Sequence, residues 1–468
     1  MPHQFSRRCW LQATATAGLA AWLRPGRACA ARARPAWALA PFAAEVTIPL
    51  GHRCMGILPT KARRVLDPLE ARGFVLLGPG KPLVVVSVDW CEIRNRSFEL
   101  WRTQLARAAG TDPQCVLLSS VHQHDAPVVD HGAQELLDAV GLKNELFDPK
   151  FHRQALQRTV AAMEKSLRRP QPVTHLGLGR GRVQRVASNR RVVHPDGRVD
   201  FSRGSGSGSV AFYREAPEGE IDPWLRTLSF WHHRRPLLAL HVYATHPMSI
   251  YGRGEVSADF PGVARRLRQK DHPEVFQMYA SGCSGDVTAG KYNDRSPRMR
   301  RVLGQRLHQG MVRAWQATRR VPLERMRLHV VPLQLPFRRD EPFTEPALRQ
   351  VLEDPRQSQR NRILAAMSLA TRRRLQKQPA LDFPCVELGP VRLLLFPGET
   401  FVGFQLLAQR MAPEQFVVCL GYGECWPGYV PTRAAQREGF VRHSWQWVAQ
   451  GCDRPLVEAM ERVLNLPQ

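Results

Sequence analysis

The segment CVLLSSVHQHDAP, residues 115–127, is an apolar run that empties into His122, Gln123, His124 and Asp125. Two imidazoles and a carboxylate within four residues are donor types that hold a first-row metal ion. On an extended backbone residues i and i+2 point the same way, so His122 and His124 are expected to face one centre from the mouth of a sheet. Histidine pairs also occur on solvated loops, so this motif by itself leaves both readings open.

The same pattern recurs along the chain. PLLALHVYATHP leads to His246 and Pro247, and VFQMYASGCSGDVTAG to Asp286 and Thr288. VRLLLFPGETF delivers Glu399 behind a Pro-Gly turn, and FVVCLGYGECWPGYVPT delivers Tyr429 after a glycine-rich stretch. Each apolar run has the length of a buried strand. Residues at the carboxyl ends of such strands converge on one crevice even when they are far apart in the chain. The expected fold is therefore α/β, a mixed β-sheet core with flanking helices and a metal site at the strand ends. Two histidines, a glutamate and a tyrosine suit one catalytic zinc ion with a position left open for water.

These motifs, in this order, resemble the neutral or alkaline non-lysosomal ceramidases and their bacterial relatives, from about Val46 to about Phe440. VHQHDAP is similar to that family's His-x-His-Ser-Gly-Pro segment, SNRR to Asn-Arg-Ser, and THPMSIYG to its His-Pro segment. GDVTAG is similar to Gly-(Asp/Asn)-x-Ser-Pro-Asn, FPGETF to the glutamate segment, and GYVPT to Tyr-(Val/Ile)-Thr-Thr. The resemblance implies a catalytic-domain fold of that family, with zinc held by His122, His246, Glu399 and Tyr429. It places His124 beside the metal water and Arg190 near the substrate oxygen. Thr288 stands where the family has an essential serine, keeping the hydroxyl but adding a methyl that stiffens χ1. Two further departures are Asp125-Ala126-Pro127 in place of a Ser-Gly-Pro-Gly-Gly loop, and Arg437 before Glu438 and Gly439 where the family carries tyrosine.

The activity implied is hydrolysis of the amide of an N-acyl sphingosine or related N-acyl lipid, with His124 shuttling a proton and Arg190 or Tyr429 stabilising the oxyanion. In that scheme Thr288 orients the substrate rather than attacking it, and Asp286 and Asp89 support the ligands from behind. Hydrolysis of another ester or a non-lipid amide is the alternative, and a non-catalytic binding protein on the same fold stands behind both.

The amino terminus carries Ser6, Arg7, Arg8 and Leu11, then the short apolar ATATAGLAAWL and an Ala-Cys-Ala sequence ending at Ala30. These features predict a twin-arginine signal over residues 1–30, export to the periplasm or beyond, and a single catalytic domain over 31–468. Such relatives usually continue into an immunoglobulin-like β-domain, which is not expected here. No later stretch has the length and hydropathy of a membrane span. The formal charge is +26, with arginines spread through the chain, and no recognition motif for nucleic acid accompanies them. The basicity is read as background composition, with attraction to an anionic membrane surface as the functional alternative.

Of ten cysteines, Cys9 and Cys29 fall in the signal, and none of the other eight forms a Cys-x-x-Cys pair. The patch SRGSGSGSV, residues 202–210, is read as a connector or a mobile loop beside the site. Helical periodicity interrupted near Pro355 marks the stretch from Glu341 to Pro379 as an α-helical excursion, and RPLVEAMERVL as one closing helix.

Overall fold

The computed structural model of the chain describes residues 36–55, 59–440 and 444–464. The twin-arginine motif and Ala30 lie outside the described residues.

All five apolar runs are strands, and they belong to three sheets that repeat one topology. The first sheet contains β1 (Trp37–Glu45), β2 (Glu70–Leu77) and β3 (Leu83–Val88), then crosses through helix α1 (Asn95–Ala109) to β4 (Val116–Ser120). The second contains β5 (His175–Arg182), β6 (Trp224–His232) and β7 (Arg235–Tyr243), then helix α2 (Asp259–Asp271) and β8 (Phe276–Ser281). The third contains β9 (Arg327–Leu333), β10 (Leu381–Leu388) and β11 (Val391–Leu395), then helix α3 (Val402–Met411) and β12 (Phe416–Leu420). In each sheet the first three strands pair antiparallel in chain order, and the last lies parallel to the third. A parallel pair cannot be closed by a tight turn, which is why a helix follows the third strand every time.

The sequence accounts for this arrangement. LVVVSV of β3 and VLLSS of β4 are buried throughout, as strands covered on both faces must be. The inner faces meet in one core, with Phe74, Val85 and Leu117 from the first sheet, Leu228, Leu240 and Met278 from the second, and Val386, Leu393 and Val418 from the third. Helices cover the outer faces. Residues Pro149–Leu167 and Gln359–Lys377 pack with α1 on the first sheet's side, and Pro297–Gln316 packs with α2 on the second. That last contact explains the glycines of β5. A Cβ at Gly179 or Gly181 would lie 2.1 or 2.3 Å from the carbonyl oxygens of Ala314 and Gly310.

The ends of the three parallel strands interlock. The Ser120 N–H donates to the Tyr422 carbonyl at 2.9 Å, and the Gly421 N–H donates to the Ser281 carbonyl at 2.8 Å. The Ser281 hydroxyl closes the set by donating to the Val121 carbonyl at 2.8 Å. The excursion after Glu341 is two helices, Glu345–Glu353 and Gln359–Lys377, and the closing helix is Asp453–Leu464. No described helix is long and apolar enough to cross a membrane.

Candidate metal centre and active site

One donor from each sheet arrives at a common point. His122 follows β4, His246 follows β7 and Glu399 follows β11, and all three side chains are buried. The Nε2 of His246 lies 2.9 Å from Glu399 Oε2, and the Nε2 of His122 lies 3.5 Å from the same oxygen. The Nδ1 of His122 donates to the Cys91 carbonyl at 2.8 Å, and the Nδ1 of His246 to the Ser284 carbonyl at 2.6 Å. A carbonyl only accepts, so each Nδ1 carries the proton and each Nε2 presents a lone pair. Two lone pairs aimed at one carboxylate oxygen repel unless a cation sits among them. The anchored Nδ1 positions are the arrangement that orients metal-ligating histidines. His122, His246 and Glu399 therefore fit a metal ion by geometry and by donor chemistry.

The route to this convergence differs from the extended-strand reading. His122 has φ +70° and sits two residues beyond β4, so it turns toward His246 through the left-handed region. His124 comes to the same place as a neighbour, its ring 5.3 Å from that of His122 and 5.9 Å from that of His246. Both nitrogens of His124 are buried and have no protein partner. Burial, reinforced by His122 and His246, pushes its pKa well below the ordinary imidazole value, so His124 is neutral. Burial likewise lowers His246 to about 4. Burial alone would push the Glu399 carboxyl up, and positive charge beside it, from protonated imidazoles or from a cation in their place, pulls it well below the carboxylate range.

Tyr429 is placed by register. Glu399 and Tyr429 are direct partners in a short parallel ladder, with Thr400 opposite Val430. The Tyr429 phenol is hydrogen-bonded to Glu399, its ring lies 6.4 Å from that of His246, and burial pushes its pKa up. The Arg190 guanidinium stands 5.5 Å over the Tyr429 ring, and its buried Nε has no acceptor. The Arg190 N–H donates to the Asp286 carbonyl at 2.6 Å, fixing the backbone there. Asp286 in turn accepts from Asn189 Nδ2 and from the Val402 N–H, both at 2.8 Å. It thereby caps α3 next to Glu399. Asp89 sits in a two-pronged ion pair with Arg265 of α2, at 2.9 and 2.7 Å.

Thr288 adjoins His246 through a parallel bridge. Its buried hydroxyl donates to the Arg203 carbonyl at 3.2 Å and accepts from the Gly290 N–H at 3.0 Å. Arg203 belongs to the glycine-serine patch, and it fixes that patch firmly. Its guanidinium reaches the carbonyls of Asn189, Pro217 and Glu218 at 2.7, 2.7 and 2.9 Å. Composition suggests mobility for residues 202–210, and one buried arginine overrides it.

Sequence reading missed Tyr422 and Glu92. Tyr422 stacks on His122 with centroids 4.3 Å apart and planes at 16°. Its hydroxyl lies 2.8 Å from Ser284 Oγ and 3.3 Å from His246 Nδ1. Glu92 is fully buried behind His122, held by Arg94 and by the Trp445 indole, both at 2.9 Å. The one signal for Tyr422 is the glycine-rich run GYGECWPGY, which draws attention only to Tyr429 at its far end. The eight described cysteines are all free and buried, as their apolar settings suggest.

A comparison of this architecture with solved structures settles its class. Neutral ceramidase from Pseudomonas aeruginosa superposes with a TM-score of 0.65 at 20% identity, covering 93% of this chain and 76% of that one. The chain has the neutral ceramidase fold. A ceramidase structure described as complexed with C2 matches equally well, with a TM-score of 0.65 at 18% identity and the same coverage. No protein-family model and no curated protein matches the sequence. Within the neutral ceramidase fold, the His122–His246–Glu399 cluster stands where three separate sheets end, a position that no local segment could create alone.

Proposed function

We propose that this chain is an exported, zinc-dependent amidohydrolase that cleaves the amide bond of an N-acyl sphingosine or a related N-acyl lipid. The observation that carries the reading is the meeting of two oriented Nε2 lone pairs with one Glu399 oxygen, beside a histidine whose ring nitrogens are both unpartnered. His122, His246 and Glu399 would hold the ion, with the Tyr429 phenol as fourth donor. Zinc bound there supplies Lewis-acid polarisation of an acyl carbonyl and acidifies a water to a pKa of about 7.

The chain's own groups divide the remaining work. His124, neutral and free at both nitrogens, accepts a proton and returns it to the leaving amine, a role that contributes ~10² to 10⁴ in rate. Arg190 brings a fixed positive charge with an open N–H to the developing oxyanion. Thr288 holds the Arg203 segment in place and thereby shapes the wall against which a substrate is oriented. Asp286 keeps Asn189, Arg190 and the start of α3 in register with Glu399. Export through the twin-arginine pathway rests on Arg7 and Arg8, and that route carries proteins already folded around a metal.

A second reading, a hydrolase of a non-lipid amide or ester, has one observation in its favour. Asp125 adjoins His124 as a buried carboxylate, and its Oδ2 lacks a partner that an acyl chain could not supply. The test is release of fatty acid from a labelled N-acyl sphingosine by the purified protein, with chelator and then with zinc restored. Release that is lost with chelator and regained with zinc supports the lipid amidase. No release from protein shown to contain zinc removes the lipid amide and directs the assay to small amides and esters. His246→Ala should lose metal and activity together, and an active variant that retains zinc would refute the assignment.

A further inference from the structure

Away from the metal centre, a cavity of about 800 Å³ opens between the second sheet, the end of α3 and the start of β12. Its wall carries Arg180, Arg226, Arg319 and Arg410, with Trp224 beside them. Sheet register puts three of the arginines on one face. Arg180 of β5 is directly opposite Arg226 of β6. Leu178, two residues earlier and so on the same face, is directly opposite Arg319 of the edge strand Arg319–Pro322. Arg410 reaches the cavity from the last turn of α3.

Like charges directly opposite each other across two strands destabilise a sheet. Most buried arginines of this protein pair with acids, as Arg265 does with Asp89, whereas Arg180, Arg319 and Arg410 are exposed to solvent along the cavity. In the cavity only Arg226 is paired, to Asp222 at 2.7 Å. Among the described residues, Arg180, Arg319 and Arg410 have neither an ion pair nor a hydrogen bond to an acceptor, and Glu414, the one acid in the wall, pairs with none of them. Arg180 lies over the Trp224 ring at 4.4 Å, and both residues line the cavity. A fork of planar donors above an aromatic wall matches a phosphate or sulfate group carried on a flat or apolar body. The volume falls in the range of small-molecule sites, about 300–1,000 Å³.

We propose that this cavity is a binding site for a phosphate- or sulfate-bearing ligand, independent of the hydrolytic reading. Arg180, Arg319 and Arg410 supply the unpaired charge, Arg226 is the neutralised scaffold beneath them, and Trp224 receives the ligand's flat or apolar part.

The test is calorimetric titration of the full chain at low salt with inorganic phosphate and with phenyl phosphate, alongside co-sedimentation with phosphatidylglycerol and with phosphatidylcholine vesicles. Saturable binding of one phenyl phosphate per chain, weakened ten-fold or more in R180Q/R319Q, is expected. Capture by phosphatidylglycerol but not phosphatidylcholine vesicles, lost in the same variant while the soluble probes do not bind, would identify the group as a lipid headgroup. W224L, which keeps the charges but not the aromatic wall, should retain inorganic phosphate and lose the preference for phenyl phosphate. Binding that survives in R180Q/R319Q, as binding at the histidine–glutamate cluster would, overturns the proposal, and so does absence of binding to every probe. Thermal melts of R180Q/R319Q guard against misfolding, since relieving the repulsion should leave the melting temperature equal or higher.

Discussion

The His122–His246–Glu399 cluster is packed against side chains that touch it without being candidate donors. Tyr422 packs flat on His122 and its hydroxyl reaches both Ser284 and the Nδ1 edge of His246, so it fixes two ligands at once. Tyr422→Phe keeps the stack and removes the hydroxyl, and zinc affinity measured by competition with a chelating dye should fall ~10-fold, the lower end for a group that orients ligands. Tyr422→Ala loses the stack as well and should fall further; parental affinity in the Phe variant would show that the hydroxyl has no part, and equal affinity in the Phe and Ala variants that the stack has none. Two residues on, Glu424 is a buried carboxylate with its Oε2 unpartnered, and burial raises its pKa to about 7. The folded protein therefore holds a proton that the unfolded chain releases above about pH 4.5. Stability is lost progressively as pH rises from the unfolded value toward 7, and is flat above it. A shift of that size corresponds to ~3 kcal/mol. Glu424→Gln keeps the acceptor that Asn95 N–H uses at 2.7 Å, so it should raise stability at pH 8 and change it little at pH 4 in denaturant titrations. A variant no more stable at pH 8 than the parent would show that burial does not raise the Glu424 pKa.

At the scale of elements, the glycines of β5 set how close a helix can come. Ala at Gly181 would place its Cβ 2.3 Å from the Gly310 carbonyl, a backbone atom that cannot step aside as a side chain can. Gly181→Ala should cost ~1–3 kcal/mol or more by forcing the helix off the sheet, readable as a lower denaturation midpoint with unchanged slope; a midpoint within error of the parent would mean the helix shifts freely. The elements that carry chemistry were legible because each is a continuous apolar run ending in a functional residue, which physics reserves for strands buried on both faces. What could not be read was how the ends turn. His122 enters the site through φ +70° and Tyr422 through φ +55°, and nothing in either residue type announces a left-handed backbone. Arg203 shows the opposite error, in which serine and glycine neighbours mask a residue whose guanidinium satisfies three carbonyls.

At the scale of the molecule, the three sheets are copies of one topology whose segment lengths differ so much that no sequence period betrays them. The connection between the first and second strands spans residues 46–69 in the first sheet but 334–380 in the third, and in the second sheet it is the stretch 183–223 that holds Asn189, Arg190 and Arg203. Each copy sends one donor, His122, His246 or Glu399, to the point where the strand ends interlock. A cation held there would tie the three copies together through bonds that no single copy can make, so its loss should be felt by the whole fold and not by one loop. A ligand that binds only the folded state at 100 times its dissociation constant adds ~2.7 kcal/mol. Zinc in that excess should therefore raise the melting temperature of chelator-stripped protein by several degrees in one cooperative transition, and should do nothing for His246→Ala. If zinc instead sharpened only a minor early transition, the cluster would belong to one sheet's loops, and the three-way closure inferred from the strand ends would be wrong.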